Sequence, residues 1–353
     1  MTVAMTMVIG IAGIIAKTIM ERTAMGMMSV AMTGMAARTG IAESRHGRRA
    51  ATRREQVTAG LARLLYLLMA ISGAGVVFAS VPDTQSAASL HARYAALGER
   101  LDHNQFQQAL YLDSTGYANQ LEGDLYALVE HPFGAVSAAL SRPEQWCEVL
   151  ILPINTKYCR ATFAGTTSVL KVNIGKKYAQ PLEDTLPIEF TYHLTSATPN
   201  YLEIRLDAER GPMGTSDYRI RLAAVPVAGG RTFLHLNYAY GYGVAGRLAM
   251  KAYLANIGGD KVGFTVIGRR TDGQPEYIGG VRGVVERNIM RYYLAIDSYL
   301  GALTAPPGSR FERRLQSWFA ATEQYPRQLH ELDKTDYFDM KRSEYLRQQR
   351  FAD

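Results

Sequence analysis

The sequence predicts an α+β domain: an antiparallel β-meander covered by one long helix towards its C-terminal side, with a helical tail after it. Three observations predict this class. Five segments between Leu170 and Tyr240 alternate apolar and polar residues with a period of two. The breaks between them are short and rich in Gly, Pro and Asn. Beyond them, Val281–Leu300 changes to an apolar spacing of three and four.

In chain order, Ser89–Leu110 reads as a helical or irregular lead-in, and a strand is expected around Leu121–Val129. Pro132 suits the first turn of a helix running to Leu140, where a missing N–H costs nothing. Ser141-Arg142-Pro143 breaks that helix, and a second short one, Pro143–Leu150, carries Trp146 and Cys147.

The alternating segments follow. Leu170, Val172 and Ile174 share one face, as do Ile188, Phe190, Tyr192 and Leu194. Leu202, Ile204, Leu206 and Ala208 repeat the pattern, then Tyr218, Ile220, Leu222 and Ala224, then Leu234, Leu236, Tyr238 and Tyr240. Successive strand residues point to opposite sides, so each segment buries one face and wets the other. The connections Thr198-Pro199-Asn200, Gly211–Gly214 and Ala228-Gly229-Gly230 permit hairpins. They are too short for the crossover of about a dozen residues that parallel strands require. A meander with a single buried face follows.

A sheet with one apolar face needs a cover. Val281, Val285, Ile289, Tyr292, Ile296 and Leu300 supply it, with Arg282, Glu286 and Asp297 off the stripe. Gly279-Gly280 leads in and Gly301 follows, as helix ends prefer. A shorter helix is expected over Gly243–Ala255 and one more strand near Lys261–Ile267. After Pro306-Pro307, Phe311, Leu315, Trp318, Phe319, Thr322 and Tyr325 mark an amphipathic helix stopped by Pro326. Glu331–Arg350 is polar enough to read as a solvated or fraying helix.

Five stretches stand out within Leu121–Leu303: Gly123–Phe133, Gln145–Arg160 with its Trp-Cys pair, Gly211–Leu222, Lys261–Thr265 and Gly280–Tyr299. With their order of strand, short helices, meander and long helix, they resemble the START-like (helix-grip, SRPBCC) superfamily, specifically a branch of exported bacterial proteins. The resemblance implies a cavity between sheet and helix, open to an apolar or amphipathic ligand. It transfers no catalytic residues. The Gly243–Ala255 helix departs from the plain pattern, as a lid or an insertion.

The formal net charge is +7, but it is unevenly placed. Residues 1–79 carry nine Lys/Arg and three Asp/Glu, and residues 80–353 carry 30 and 29. A phosphate-binding footprint needs basic residues clustered on the folded part, so nucleic acid is not an expected partner. Arg45, Arg48, Arg49, Arg53 and Arg54 precede the apolar run Leu64–Ala79, which ends on a small residue in Val77-Phe78-Ala79. These are the parts of a secretory signal, and the run is short for a span of about 20 apolar residues. Export to the periplasm or beyond, with cleavage after Ala79, is the expectation; a membrane anchor at 64–79 is the alternative. Residues 1–52, with nine of the 14 methionines before Arg38, read as disordered or mis-started, the true start using another codon such as that of Val57. The division expected is leader 1–79, lead-in 80–120, helix-grip domain 121–303 and charged helical tail 304–353.

Cys147 and Cys159 are the two cysteines. In an oxidising compartment such a pair is expected to form a disulfide, with two buried thiols as the alternative. Two thiols without a nearby His pair cannot furnish a structural zinc site, and no metal or cofactor is expected.

Tyrosine is abundant, 21 against 11 Phe. Tyr192, Tyr218, Tyr238 and Tyr240 fall on the buried face and Tyr292 on the covering helix. Buried phenols need partners, so these residues, with Ile289 and Ile296, are the expected cavity lining. Arg287 and Arg291, near Glu286, are the candidate contacts for an acidic head group, with arginines solvated or paired to a neighbour as the alternative. Gly241–Gly246 matches GxGxxG with Asp260 downstream, yet its preceding strand alternates, whereas a central parallel strand would be continuously apolar. HExxH and GxSxG are absent, and His193 and His235 fall on the wet faces. The inward positions hold no Asp, Glu or His, so catalysis is not indicated. The expected function is an exported binder or carrier of a lipid-like or other hydrophobic molecule, with possible contact to a membrane surface. A cyclase- or hydrolase-like enzyme in the same cavity, or a filled-core interaction protein, are its rivals.

Overall fold

Alternation along the chain becomes rows across the sheet. The computed structural model describes residues 86–117, 119–165, 167–256 and 261–350. The leader, with its signal-like segment and the expected cleavage after Ala79, lies outside the described residues.

Eight strands form one antiparallel sheet in the order β1-β2-β8-β7-β6-β5-β4-β3. They are β1 (Leu110–Tyr117), β2 (Gln120–Val129), β3 (Thr156–Ala164), β4 (Thr167–Ile174), β5 (Leu186–Thr198), β6 (Tyr201–Arg210), β7 (Thr215–Val227) and β8 (Arg231–Tyr242). Leu125, Leu236, Leu222 and Ile204 stand opposite one another across four strands, all buried. Each such side chain contributes roughly 1.5–3 kcal/mol by leaving water. At the end of the β5 row the register shifts between Leu194 and Ser196, and Leu194, expected inside, is exposed.

Two strands escaped the periodicity. β1 pairs with β2 along its whole length, but Asp113, Ser114, Thr115 and Gly116 dilute its apolar pattern. β3 lies at the far edge, its alternation masked by Lys157 and Arg160.

The helices are α1 (Ala87–Asp102), α2 (Phe133–Leu140), α3 (Pro143–Leu150), α4 (Val244–Asn256), α5 (Gly280–Gly301), α6 (Arg310–Glu323), α7 (Pro326–Leu329) and α8 (Lys334–Arg350). α5 lies on β1, β2 and β8 and buries Val285, Ile289, Leu294 and Ile296 against the inner rows. α3 is tied to β3 by the Cys147–Cys159 disulfide.

The sheet does not bury a single face. Leu90, Leu97 and Leu101 of α1 pack with Tyr126, Tyr201, Ala223, Val225 and Phe233 in a second, smaller core. Those strand positions point away from α5 and are apolar, which the inward rows alone do not reveal. The start of α1 is fixed by Ser86, whose hydroxyl accepts the Ser89 N–H.

Two further expectations need correction. Lys261–Thr265 is not a strand: only Val266–Arg269 (β9) pairs, with Pro275–Tyr277 (β10), in a separate two-stranded ladder. Nor is Glu331–Arg350 solvated. In α8, Tyr337, Phe338, Met340, Lys341, Glu344 and Gln348 are buried. Its polar residues cap the open edge of β3: Lys341 Nζ donates to Thr156 O at 2.6 Å, Arg347 Nη2 to Lys157 O at 3.2 Å, and Gln348 Oε1 accepts the Cys159 N–H at 3.0 Å. An edge strand needs such cover. Gln85–Asp353 is accordingly one compact unit.

Candidate ligand-binding site

β7 and β8 bring Tyr218, Tyr238 and Tyr240 to the inner face, because all three sit at inward steps of the pleat. α5 brings Tyr292 above them. The Tyr218 and Tyr240 rings stack at 5.3 Å, Tyr238 lies 5.5 Å from Tyr240, and Tyr292 lies 5.4 Å from Tyr238. Phe190 of β5 meets Tyr218 edge-on at 6.1 Å. Tyr238 and Tyr240 are buried, whereas Tyr218 and Tyr292 are half-buried. Burial pushes the phenols of Tyr238, Tyr240 and Tyr292 above the ordinary tyrosine range, so all three stay neutral. Tyr218 donates to Thr215 Oγ1 at 2.9 Å, and Tyr238 is hydrogen-bonded to Asn288. Among the described residues, the hydroxyls of Tyr240 and Tyr292 have no hydrogen-bond partner.

The remaining expected residues are placed differently. Tyr192 lies under the end of α2, its hydroxyl 3.5 Å from Leu140 O. Ile289 and Ile296 are wholly within the core of α5, and Ile289 reaches the backbone at Gly123. Arg287 is buried, and its Nη1 donates to the carbonyls of Lys261 and Val262, both at 3.1 Å. Its guanidinium thus holds a loop beside the tyrosines. Arg291 pairs with Glu331 at 2.8 Å.

Glu286 was expected off the apolar stripe and is instead 0 % exposed. Its carboxyl collects four donors: Ser114 Oγ (2.6 Å) and Thr265 Oγ1 (2.7 Å) on Oε1, and the N–H groups of Phe264 (2.6 Å) and Thr265 (2.9 Å) on Oε2. Close approach requires Gly263, where a Cβ would stand 2.5 Å from Glu286 Oε2 and 2.9 Å from Gly283 Cα. The glycine in Lys261–Thr265 was the sequence signal for this contact. His235 also departs from expectation. It is buried on the outer face, its Nε2 2.7 Å from Asp124 Oδ1 and its ring stacked 4.2 Å from Tyr126. His193, by contrast, is exposed.

Gly241–Gly246 does not open a parallel βαβ unit, because β8 runs antiparallel to both neighbours. Its glycines seat α4: Gly243 N–H donates to Gly214 O at 3.1 Å, and a Cβ at Gly246 would stand 3.0 Å from that oxygen. α4 therefore rises beside the 212–214 turn, at the tyrosine end of the sheet.

A long helix laid across the inner face of an antiparallel meander, with two short helices between its early strands, decides the architecture. The domain has the helix-grip fold. Solved structures that align with this helix-grip domain include an aromatase/cyclase from Streptomyces sp. R1128, at 13 % identity and TM-score 0.29, covering 38 % of this chain and 83 % of that one. Norcoclaurine synthase from Thalictrum flavum aligns at 12 % and 0.27, covering 44 % and 84 %. A START superfamily protein from Mycobacterium smegmatis aligns at 11 % and 0.28, covering 40 % and 90 %. No family model matches the sequence, and no curated protein does so.

Proposed function

We propose that this helix-grip domain binds an apolar or amphipathic small molecule at the tyrosine end of the space between sheet and α5. The observation that supports it is the pair of neutral phenols, Tyr240 and Tyr292, without hydrogen-bond partners among the described residues. A ligand head group supplies the hydrogen-bond partner that both phenols lack among those residues. Aromatic faces around it, Phe190, Tyr218 and Tyr238, suit an apolar body. Met213, Val244 and Leu248 stand exposed at the same end, an apolar rim suited to receiving such a molecule, including from a membrane surface. Export is part of the proposal, on the signal-like Leu64–Ala79 and on a disulfide that an oxidising compartment favours.

Titration of purified protein with a fluorescent fatty-acid-like probe tests the reading. Tyr240→Phe keeps the ring and removes the hydroxyl, and should weaken binding about tenfold, the worth of one hydrogen bond. No saturable uptake by the wild-type protein would dismiss the proposal.

A further inference from the structure

We propose that the domain carries a second, polar site, remote from the tyrosines, which takes a hydroxyl-rich ring of monosaccharide size. The site is a cavity of about 230 Å³ walled by the loop after α1, by Phe264 and Tyr277, and by the junction of α6 and α7. That is room for one small ring, below the usual span of drug-sized pockets.

The decisive side chain is Gln328. It is only 6 % exposed, it lines the cavity, and among the described residues its amide has no hydrogen-bond partner. Its amide is not among the enclosed, unpaired polar atoms of the described residues, so it is open to the space it lines, where a ligand can pair with it. The neighbours add mixed polarity. Gln105 Nε2 donates to Phe264 O at 2.5 Å, which leaves its oxygen as an acceptor. Gln324 Oε1 accepts from Gln108 at 3.3 Å, which leaves its NH2 group. Tyr325 donates its proton to Phe106 O at 2.8 Å and keeps a lone pair.

Hydroxyl groups donate and accept at once and match this set. A carboxylate only accepts, and would meet the Gln105 and Tyr325 oxygens head-on. The one charged wall residue, Arg327, has its guanidinium over the Tyr277 ring at 5.2 Å. Phe264 and Tyr325, edge-on at 5.3 Å, supply the apolar surface against which a ring's C–H face packs.

The loop that carries Gln105 and Gln107 is built rather than loose. The Asn104 side chain donates to Leu101 O and Gln108 O and accepts the Phe106 N–H, at 2.7, 2.8 and 2.8 Å. Gln107 is held at φ +56°, a left-handed conformation that costs a non-glycine residue free energy and that clusters at binding sites. Phe106, between the two glutamines, is buried in the core and also lines the cavity.

The test is saturation-transfer NMR and calorimetry on the full chain with a panel of hexoses and their methyl glycosides, and benzoate as the carboxylate ring. The expected result is saturable hexose binding with Kd of about 1–10 mM, weakened at least about tenfold by Gln328→Leu. Gln328→Leu should hold or raise Tm, since an apolar isostere replaces an unpaired amide, so loss of binding is separable from loss of fold. Tyr240→Phe should leave hexose binding unchanged, which distinguishes this site from the tyrosine site. No saturable hexose binding, binding indifferent to Gln328→Leu, or binding of benzoate alone would overturn the proposal.

Discussion

Glu286 Oε2 lies 2.6 Å from the backbone nitrogen of Phe264, and through that contact one helix residue fixes the loop between the tyrosine cluster and the glutamine-lined space. On one side Arg287, the next residue of α5, holds the carbonyls of Lys261 and Val262 beside the tyrosines. On the other the Phe264 ring walls the glutamine-lined space. Glu286→Ala would leave four donors without their acceptor. The expected loss is about 3–4 kcal/mol, in the range for breaking a buried polar network. Hydrogen exchange at the Phe264 and Thr265 amides should accelerate well beyond the global change. Unchanged exchange there would show that Glu286 does not anchor the loop.

On the outer face, burial alone would raise the carboxyl of Asp124. The hydrogen bond and charge of His235, the Asn237 amide and the charge of Arg93 outweigh it and hold Asp124 below the usual range. A carboxyl depressed in the folded state contributes stability above its unfolded value, which is lost as pH falls through the folded one. Wild type should therefore exceed Asp124→Asn in Tm at neutral pH, and the gap should close between roughly pH 5 and pH 2. A gap that is constant with pH would remove the electrostatic account.

Under α8, Lys157 and Lys341 share one carboxylate, Glu344, at 2.9 and 2.8 Å, all wholly buried. Burial lowers Lys341 to about 8 against the attraction of Glu344, and lowers Lys157 too. Both lysines then release protons in the folded chain before the unfolded one, so stability should rise as pH climbs from about 8 towards 10.5. Glu344→Gln leaves two buried ammonium groups facing each other and should cost about 3–5 kcal/mol. Chemical denaturation across that pH range reads both effects, and a flat wild-type profile would contradict the first.

The parts of this fold that were legible in the sequence are those where one physical rule acts alone. From β4 to β8 the inner face sets a period of two, which the second core on part of the outer face does not erase, and five inward rows were readable to the residue apart from Leu194, which a bulge turns out. The three strand tyrosines that meet near α4, Tyr218, Tyr238 and Tyr240, follow from the same parity, and Tyr292 from the helical spacing of α5. Where two rules compete, legibility fails. α8 is polar because its side chains bond the β3 edge, a role indistinguishable from solvation until the edge is in view. Glu286 sits one step beside the stripe and is buried by a loop whose path depends on Gly263. Gln328 gave no signal at all, because an amide in a short helix looks the same whether it faces water or a cavity.

The disulfide between Cys147 and Cys159 closes a short loop, with a sequence separation of 12, between α3 and β3. Reduction should lower stability by about 3 kcal/mol in the chain-entropy description. Denaturant unfolding with and without reductant measures it. Two titratable thiols in unreduced, denatured protein would show that the bond is absent from the protein in solution.

Enlarging the interface separates an open tyrosine end from a filled one. Ile289 is 0 % exposed and lies within ordinary contact distance, 3.5 Å, of a Cβ built on Gly123. Ile289→Trp is therefore overpacking and should cost roughly 1–3 kcal/mol whatever the ligand does. Tyr238, one step across from Gly123 on β8, faces Tyr292 and Tyr240 instead. If the two unpartnered phenols border ligand space, Tyr238→Trp should fill it. It should then abolish probe uptake while shifting Tm much less than Ile289→Trp does. If the rings already close the space, both variants should be destabilised alike with no uptake to lose, and the domain would stand as a filled-core interaction protein. Thermal unfolding beside probe binding, for wild type and the two variants together, distinguishes the outcomes because each reading fixes a different pairing of stability and uptake.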